Sequence, residues 1–370
     1  MKIKFKLRSD VVIIAILVIG LACFGCLMVY SASFYSANHH YGNQFFFLFK
    51  QIFGVVLGIA GMIAFSFIDY HLLAKYKWWI IAGTLVLLSL VFIPGLGMES
   101  YGAKRWVSIL GISIQPSEIA KFALVIFTAS YMADNHDKVK TFKGLLPVLC
   151  VGGVMCLLIM LEPSMSVTMC IAFVTLFMLI IGGMSKKHTL MFSIPAGCAV
   201  PLLVILEPYR LKRLMAFIDP WASPQGEGFQ LIQSLYSLGD GGLFGVGLFN
   251  SRQKYLFLPF AESDFILSII GEEIGFIGTT LLLLAFFFLS YKLIKIGLNA
   301  KDRLGAMLAS GIGFIIAVQT LLNVAVVTGS IPPTGLPLPF ISAGSTSLLV
   351  FMSAIGVVLN VDRQSMKSKI

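Results

Sequence analysis

Charged side chains are scarce in this sequence. Only 12% of its 370 residues are Asp, Glu, Lys or Arg, against about 25% in a soluble domain. With 58% hydrophobic residues and a mean hydropathy of +0.93, a soluble globular fold is excluded. Histidine is equally sparse. His39, His40, His71, His136 and His188 all fall in loops without ligand spacing, so a zinc site is not expected. No glycine cluster ends in Gly-Lys-Ser/Thr, which removes a phosphate-cradling P-loop. The alternating segments of about 10 residues that mark a membrane barrel are missing, as is any convincing internal repeat, so an inverted-repeat transporter gains no support. The first apolar run is too long for a cleavable signal peptide and lacks a small-residue cleavage site. The six cysteines (Cys23, Cys26, Cys150, Cys156, Cys170, Cys198) lie in or at the edge of apolar runs. Cys23 and Cys26 have the spacing of a redox or zinc pair, but sit among Leu, Ala and Phe and read as buried small hydrophobes.

What the chain has instead is a series of apolar runs: 11–33, 46–68, 78–95, 116–132, 144–161, 165–184, 189–206, 264–291, 304–328 and 343–361. Each is roughly 17–28 residues, enough to cross about 30 Å of hydrocarbon as a helix. The expectation is an all-α polytopic membrane protein with about ten spans, a single membrane domain over 1–370, and a large extracytoplasmic loop, 207–263, between spans seven and eight. The net charge of +10 raises the question of nucleic acid, but its placement argues against it. Lys2, Lys4, Lys6 and Arg8 precede the first run; Lys75, Lys77, Lys138, Lys140, Lys143, Lys186, Lys187, Lys292, Lys295, Lys301 and Arg303 fall in alternate loops; Arg363, Lys367 and Lys369 close the chain. With ten spans all of these share one side, which places both termini in the cytoplasm.

The outer side is read differently. Residues 34–45 and 329–342 carry no Lys or Arg, yet Lys104, Arg105, Arg210, Lys212, Arg213, Arg252 and Lys254 lie on that face. Either they form salt bridges within their loops or they meet an anionic lipid headgroup or phosphate. The 207–263 loop also holds Asp219, Glu227, Asp240 and Glu262, with amphipathic pieces at 209–218 and 228–238 and glycine-rich turns at 239–242 and 245–247.

Acids and bases inside apolar runs are costly and so informative. Gln115-Pro116-Ser117-Glu118 opens the fourth run as a helix start, with proline at its first position and an acid in its first turn. Lys121 follows on the same face, and a Glu118–Lys121 pair is either structural or lines a polar cavity. Glu272 and Glu273 point about 100° apart on a helix, so at least one faces the protein interior or water. Ser263-Asp264 reads first as an N-cap for the eighth run, with a catalytic Asp264 as the lesser alternative.

Taken in order, several segments resemble the SEDS family of cell-wall polymerases (shape, elongation, division and sporulation), which includes RodA, FtsW and SpoVE. They are Gly102-Ala103-Lys104-Arg105-Trp106, Ile114 to Lys121, Asp219-Pro220-Trp221, Gly228 to Ser234, Gly245-Val246-Gly247, Asn250 to Lys254, Leu258-Pro259, Ser263-Asp264-Phe265, Gly271-Glu272-Glu273 and Pro337 to Ser342. The Asn250–Lys254 text is most similar to the FtsW and SpoVE branch.

The resemblance implies an inverting peptidoglycan glycosyltransferase on the outer face of the bacterial cytoplasmic membrane. Its substrate would be lipid II, a disaccharide-pentapeptide on undecaprenyl pyrophosphate. A class B penicillin-binding protein would supply crosslinking, and Mg²⁺ or Mn²⁺ could assist. By the same resemblance, Asp264 is the catalytic base and Glu118 and Lys121 belong to a central cavity. Substrate binding falls to Lys104, Arg105, Glu118, Lys121, Arg210, Arg213, Gln233, Ser234, Arg252 and Lys254, with no resident metal ligands. Membrane lipids surround the chain and nucleic acid is not a partner. The chain departs from the family text at Phe260-Ala261-Glu262-Ser263, at Glu162-Pro163-Ser164 and at Ser342-Ala343-Gly344-Ser345. Glu262, two residues from Asp264, is expected to raise its pKa by like charge. A lipid II flippase and a non-catalytic scaffold for the penicillin-binding protein are the alternatives.

Overall fold

The computed structural model describes residues 9–100, 103–109, 112–205, 207–333 and 335–367. Lys2, Lys4, Lys6, Arg8, Gly102 and Lys369 lie outside them, as do the side chains of Lys104, Cys198 and Lys367. The order of elements is α1 (Ser9–Tyr41), α2 (Phe46–Phe67), α3 (Tyr70–Lys75), α4 (Lys77–Leu90), β1 (Gly97–Ser100), β2 (Ala103–Ile109), β3 (Ile112–Ile114), α5 (Pro116–Asp134), α6 (Phe142–Leu161), α7 (Met165–Ile181), α8 (Lys186–Ile205), α9 (Pro208–Ile218), α10 (Phe229–Gly241), α11 (Ile266–Leu298), α12 (Arg303–Val327) and α13 (Ser345–Lys367).

Six of these, α1, α2, α6, α11, α12 and α13, are long and apolar enough to cross a membrane, and α4 and α7 are shorter apolar helices. Helices α5 and α8 occupy the two remaining apolar runs, so the expected pattern of spans is met. Exposed Phe, Leu and Ile side chains such as Phe49, Leu157, Phe276 and Phe287 coat the outside of the bundle, which suits lipid as the surrounding solvent. Helix α5 is the central column, buried on most of its surface. Small residues let other helices close up: a Cβ on Gly58 of α2 would stand 2.4 Å from Met352 Sδ of α13. Among the described cysteines none forms a disulfide; Cys170 is buried, but Cys23 and Cys150 are on the exterior, so burial holds for only part of the set.

Alternation of the spans divides the connections between two ends. At one end, the Lys292 ammonium meets Asp10 at 2.7 Å, Tyr70 donates to Asp302 at 2.7 Å, Lys77 pairs with Asp134 and Arg303 donates to the carbonyl of Gly182. At the other lie the sheet, the α6–α7 turn, the long segment from α8 to α11 and the loop from α12 to α13.

Two features of that second end were not expected. The 96–115 loop folds into an antiparallel sheet in the order β1-β2-β3, with Val107 opposite Gly97 on one side and Ile114 on the other. And α11 is broken at Gly275, whose backbone (φ 70°, ψ −173°) is not helical. There the segment after α10 runs alongside: Val246 N donates to Glu272 O, Gly247 N to Glu273 O, Phe276 N to Gly242 O and Ile277 N to Leu243 O. A Cβ on Gly275 would stand 2.3 Å from Gly245 N, so this approach requires glycine.

Candidate active site

Helix α11 begins at Ile266 with Phe265 as its N-cap and no side-chain capping bond. Asp264 is therefore not the cap that Ser263-Asp264 suggested, and its carboxylate is left to other partners. It is partly exposed, and its position is fixed through the main chain. Asn323 of α12 donates from Nδ2 to the carbonyl of Asp264 at 2.9 Å and to that of Leu336 at 2.8 Å. Just before it, Ser342 Oγ donates to Ser263 O at 2.7 Å and Ala343 N to Glu262 O at 2.9 Å. The 331–344 loop thus lies directly on the Asp264 segment. A Cβ on Gly335 would stand 2.7 Å from Asp264 Oδ2 and 3.8 Å from Arg105 Nη1.

Cations converge on this carboxylate from separate elements. Arg105 comes from β2 and is anchored by Nε to Glu162 O at 3.2 Å and by Nη2 to Pro163 O at 2.5 Å. Arg213 comes from α9 and donates from Nη1 to Pro333 O at 3.1 Å, with Glu227 3.8 Å from its Nε. Burial raises the pKa of Asp264 from its ordinary 3.8 to about 6; the fields of Arg105 and Arg213 oppose the rise and that of Glu118 adds to it. The direction agrees with the sequence reading, but the like charge is Glu118 rather than Glu262. Glu262 is itself raised, by burial first and by the charge of Asp264 last.

Beneath the loop, Glu118 and Lys121 of α5 form a pair at 2.7 Å with both side chains fully buried. Lys121 also donates to Gln319 Oε1, Gln319 Nε2 donates to Pro337 O at 2.8 Å, and Ser347 Oγ donates to Glu118 Oε2 at 3.0 Å. One chain of polar contacts therefore runs from α5 through α12 to the loop over Asp264. At the α6–α7 turn, Glu162 is buried beside Arg105 with neither carboxyl oxygen hydrogen-bonded among the described residues. Burial raises its pKa to about 8 against the opposing field of Arg105.

A partly buried carboxylate poised near neutrality between two guanidinium groups can accept a proton while an anionic group is held beside it. No three His, Cys, Asp or Glu side chains converge among the described residues, so a resident metal cage does not fit this site.

Comparison with known proteins bears on the same segments. Residues 11–367 match the family model of FtsW, RodA and SpoVE, described as "Cell cycle protein". The chain belongs to this family. It is 39% identical to a probable peptidoglycan glycosyltransferase FtsW of Geobacter sp. (strain M18), covering 95% of this chain and 96% of that one. It is 38% identical to the stage V sporulation protein E of Bacillus subtilis (strain 168), covering 97% and 99%. Among solved structures it is similar to a chain of a peptidoglycan synthase complex that coordinates polymerization and crosslinking, with a TM-score of 0.78, 26% identity and 95% and 97% coverage. Thermus thermophilus RodA shares the fold, with a TM-score of 0.69, 23% identity and 95% and 96% coverage.

Of the residues singled out in this FtsW/RodA/SpoVE-family chain, the fold brings Arg105, Arg213 and Glu118 within electrostatic reach of Asp264. Three of the residues expected to touch substrate are buried and engaged within the protein. Lys254 is buried, paired with Glu273 at 2.9 Å and bonded to Ser31, so its charge is neutralised inside the protein. Ser234 is fully buried, its hydroxyl between Ser268 Oγ and Val327 O, where it ties α10 to α11 and α12. Lys121 has no exposed surface and braces the loop from below. Arg210 and Gln233 are partly exposed on α9 and α10, and Arg252 is exposed. The side chain of Lys104 lies outside the described residues. Glu272 and Glu273 are both buried; Glu272 accepts from Ser237, Ser251 and Arg252 N.

Gln319, Asn323 and Gly335 were missed. The signal was available for two: Gln319 and Asn323 are the only amide side chains in the run 304–328 and lie four residues apart, on one helix face.

Proposed function

We propose that this chain is a peptidoglycan glycosyltransferase that polymerises lipid II on the outer face of a bacterial cytoplasmic membrane, both termini being cytoplasmic. The observation that carries the reading is Asp264, a carboxylate with its pKa raised to about 6, set between Arg105 and Arg213. Asp264 takes the proton of the acceptor sugar's 4-hydroxyl as that oxygen attacks the anomeric carbon of the lipid-linked sugar. The new C–O bond forms as the old one to the pyrophosphate breaks, and its electron pair leaves on the diphosphate with inversion at carbon. Arg105 and Arg213 stabilise the charge gathering there. A Mg²⁺ or Mn²⁺ ion would arrive bound to the diphosphate and supply charge neutralisation there. The segment between α8 and α11 supplies Arg213 to the site from α9, and a class B penicillin-binding protein is the partner that crosslinks the product.

The test is polymerisation of labelled lipid II by the chain purified with that partner and supplied with a divalent ion. Wild type forms glycan strands, and Asp264→Ala loses about 10²–10⁴-fold in kcat, the usual worth of a general base. No polymer from wild type in an intact complex would favour the scaffold.

A further inference from the structure

The turn between α6 and α7 carries a carboxyl group that the reaction above does not use. Glu162 is 1% exposed, and neither side-chain oxygen has a hydrogen-bond partner among the described residues. A buried polar group left so is costly, and groups of this kind in a native fold call for an explanation. Arg105 is near enough to be felt, yet it donates to the main-chain carbonyls of Glu162 and Pro163 and makes no hydrogen bond to the carboxyl. The same guanidinium reaches toward Gly335 and Asp264. One arginine thus separates Glu162 from the reaction centre. Pro163 and Ser164 complete the turn, leaving Glu162 as its one acid.

We propose that Glu162 is a substrate-recognition residue whose carboxyl exchanges hydrogen bonds with a neutral hydroxyl or N-acetyl amide of the bound amino sugar, on the side of Arg105 away from Asp264. The proposal rests on the glycosyltransferase reading, which supplies the amino sugar. Arg105, partly exposed and held to the turn through main-chain carbonyls, is the side chain the ligand would have to displace. With a pKa raised to about 8, the group keeps its proton at neutral pH and offers one O–H donor and one C=O acceptor, a match for a hydroxyl or an amide and a poor one for a diphosphate. A site built to hydrogen-bond such a group discriminates strongly against ligands lacking it.

The experiment compares wild type, Glu162→Gln and Glu162→Leu, each full length in complex with the penicillin-binding partner. Lipid II binding, KM and kcat for polymerisation, and thermal unfolding are measured on each. Glu162→Gln keeps KM within about threefold. Glu162→Leu raises KM and weakens lipid II binding by about tenfold to a hundredfold, while its melting temperature holds or rises because an unpaired polar group has gone. A merely structural Glu162 would give the same stability change with KM and binding unmoved, and that result overturns the proposal.

A second readout stands even if Glu162→Leu fails to fold. Among the described residues Arg105 is the charged group whose field Glu162 feels. Wild-type KM then rises as pH passes about 8 and Glu162 ionises, and in Glu162→Gln this rise is missing; parallel profiles overturn the proposal. Wild type that binds lipid II without polymerising it defeats the glycosyltransferase reading alone, and Glu162 is then judged on binding. Wild type that does neither defeats both.

Discussion

On the proposed reading Asp264 is the base, and burial pushes its carboxyl up toward the pH at which it would act. A base with a pKa of about 6 gives a polymerisation rate that falls as pH drops below 6, and a pH profile of kcat/KM with its acid limb there checks it. The same shift acts on stability with a definite sign. An acid whose folded pKa stands above its ordinary 3.8 holds its proton more tightly when folded, so it favours the fold at low pH and loses that contribution as pH rises from 3.8 to 6. Asp264→Asn is therefore more stable than wild type at pH 7.5, and the difference shrinks to nothing near pH 4; thermal unfolding at the two pH values reads it. Gly335→Ala tests placement rather than charge. Its new Cβ, 2.7 Å from Asp264 Oδ2, displaces the carboxylate and lowers kcat by about 10²-fold with the melting temperature little changed. The candidacy of Asp264 came from the resemblance, while its freedom from capping was not legible in its text. Ser-Asp before an apolar run reads as a cap, and only the placement of Phe265 as the N-cap decides against it.

Helix α5 joins α12 through Glu118, Lys121 and Gln319, and α12 holds the loop through Gln319 and Asn323. Removing one member of a fully buried ion pair leaves the other charge unmatched, so Lys121→Met destabilises by about 3–5 kcal/mol. The Glu118→Gln/Lys121→Met double variant recovers much of that, and a double-mutant cycle of unfolding in detergent measures the coupling. The pairing of Glu118 with Lys121 was readable from their spacing, three residues apart on one face. The destination of the chain in Pro337 was not, because it depends on a loop distant in sequence. The sheet at 97–114 escaped for a related reason. Its strands are short, and β1 carries little alternation to set it apart from a turn-rich loop. The amphipathic pieces α9 and α10 were visible because their apolar faces repeat at helical spacing.

At the scale of the whole chain the reading from sequence was most complete, since a bilayer's thickness imposes run lengths that survive without any knowledge of contacts. Helix α1 runs eight residues past its expected end at residue 33, to Tyr41, because a polar sequence without a breaker continues a helix beyond the hydrocarbon. The proposed sidedness predicts that in intact cells a cysteine-free protein carrying Gln225→Cys is labelled by a membrane-impermeant thiol reagent. One carrying Lys140→Cys is labelled only after permeabilisation, and the reverse pattern would turn the topology over. Both positions are exposed, at opposite ends of the bundle.

The bonds that hold the Asp264 segment to its neighbours have a common property. Those from Ala343, Ser342 and Asn323 to residues 262, 263 and 264 all end on main-chain carbonyls. Such holds are indifferent to which side chains the segment carries. Glu262 and Ser263 can therefore change side chains without breaking these holds on the aspartate that follows them, whereas Glu118 and Lys121 are bound side chain to side chain. The text that departs from the family just before Asp264 thus falls where main-chain atoms carry the bonds.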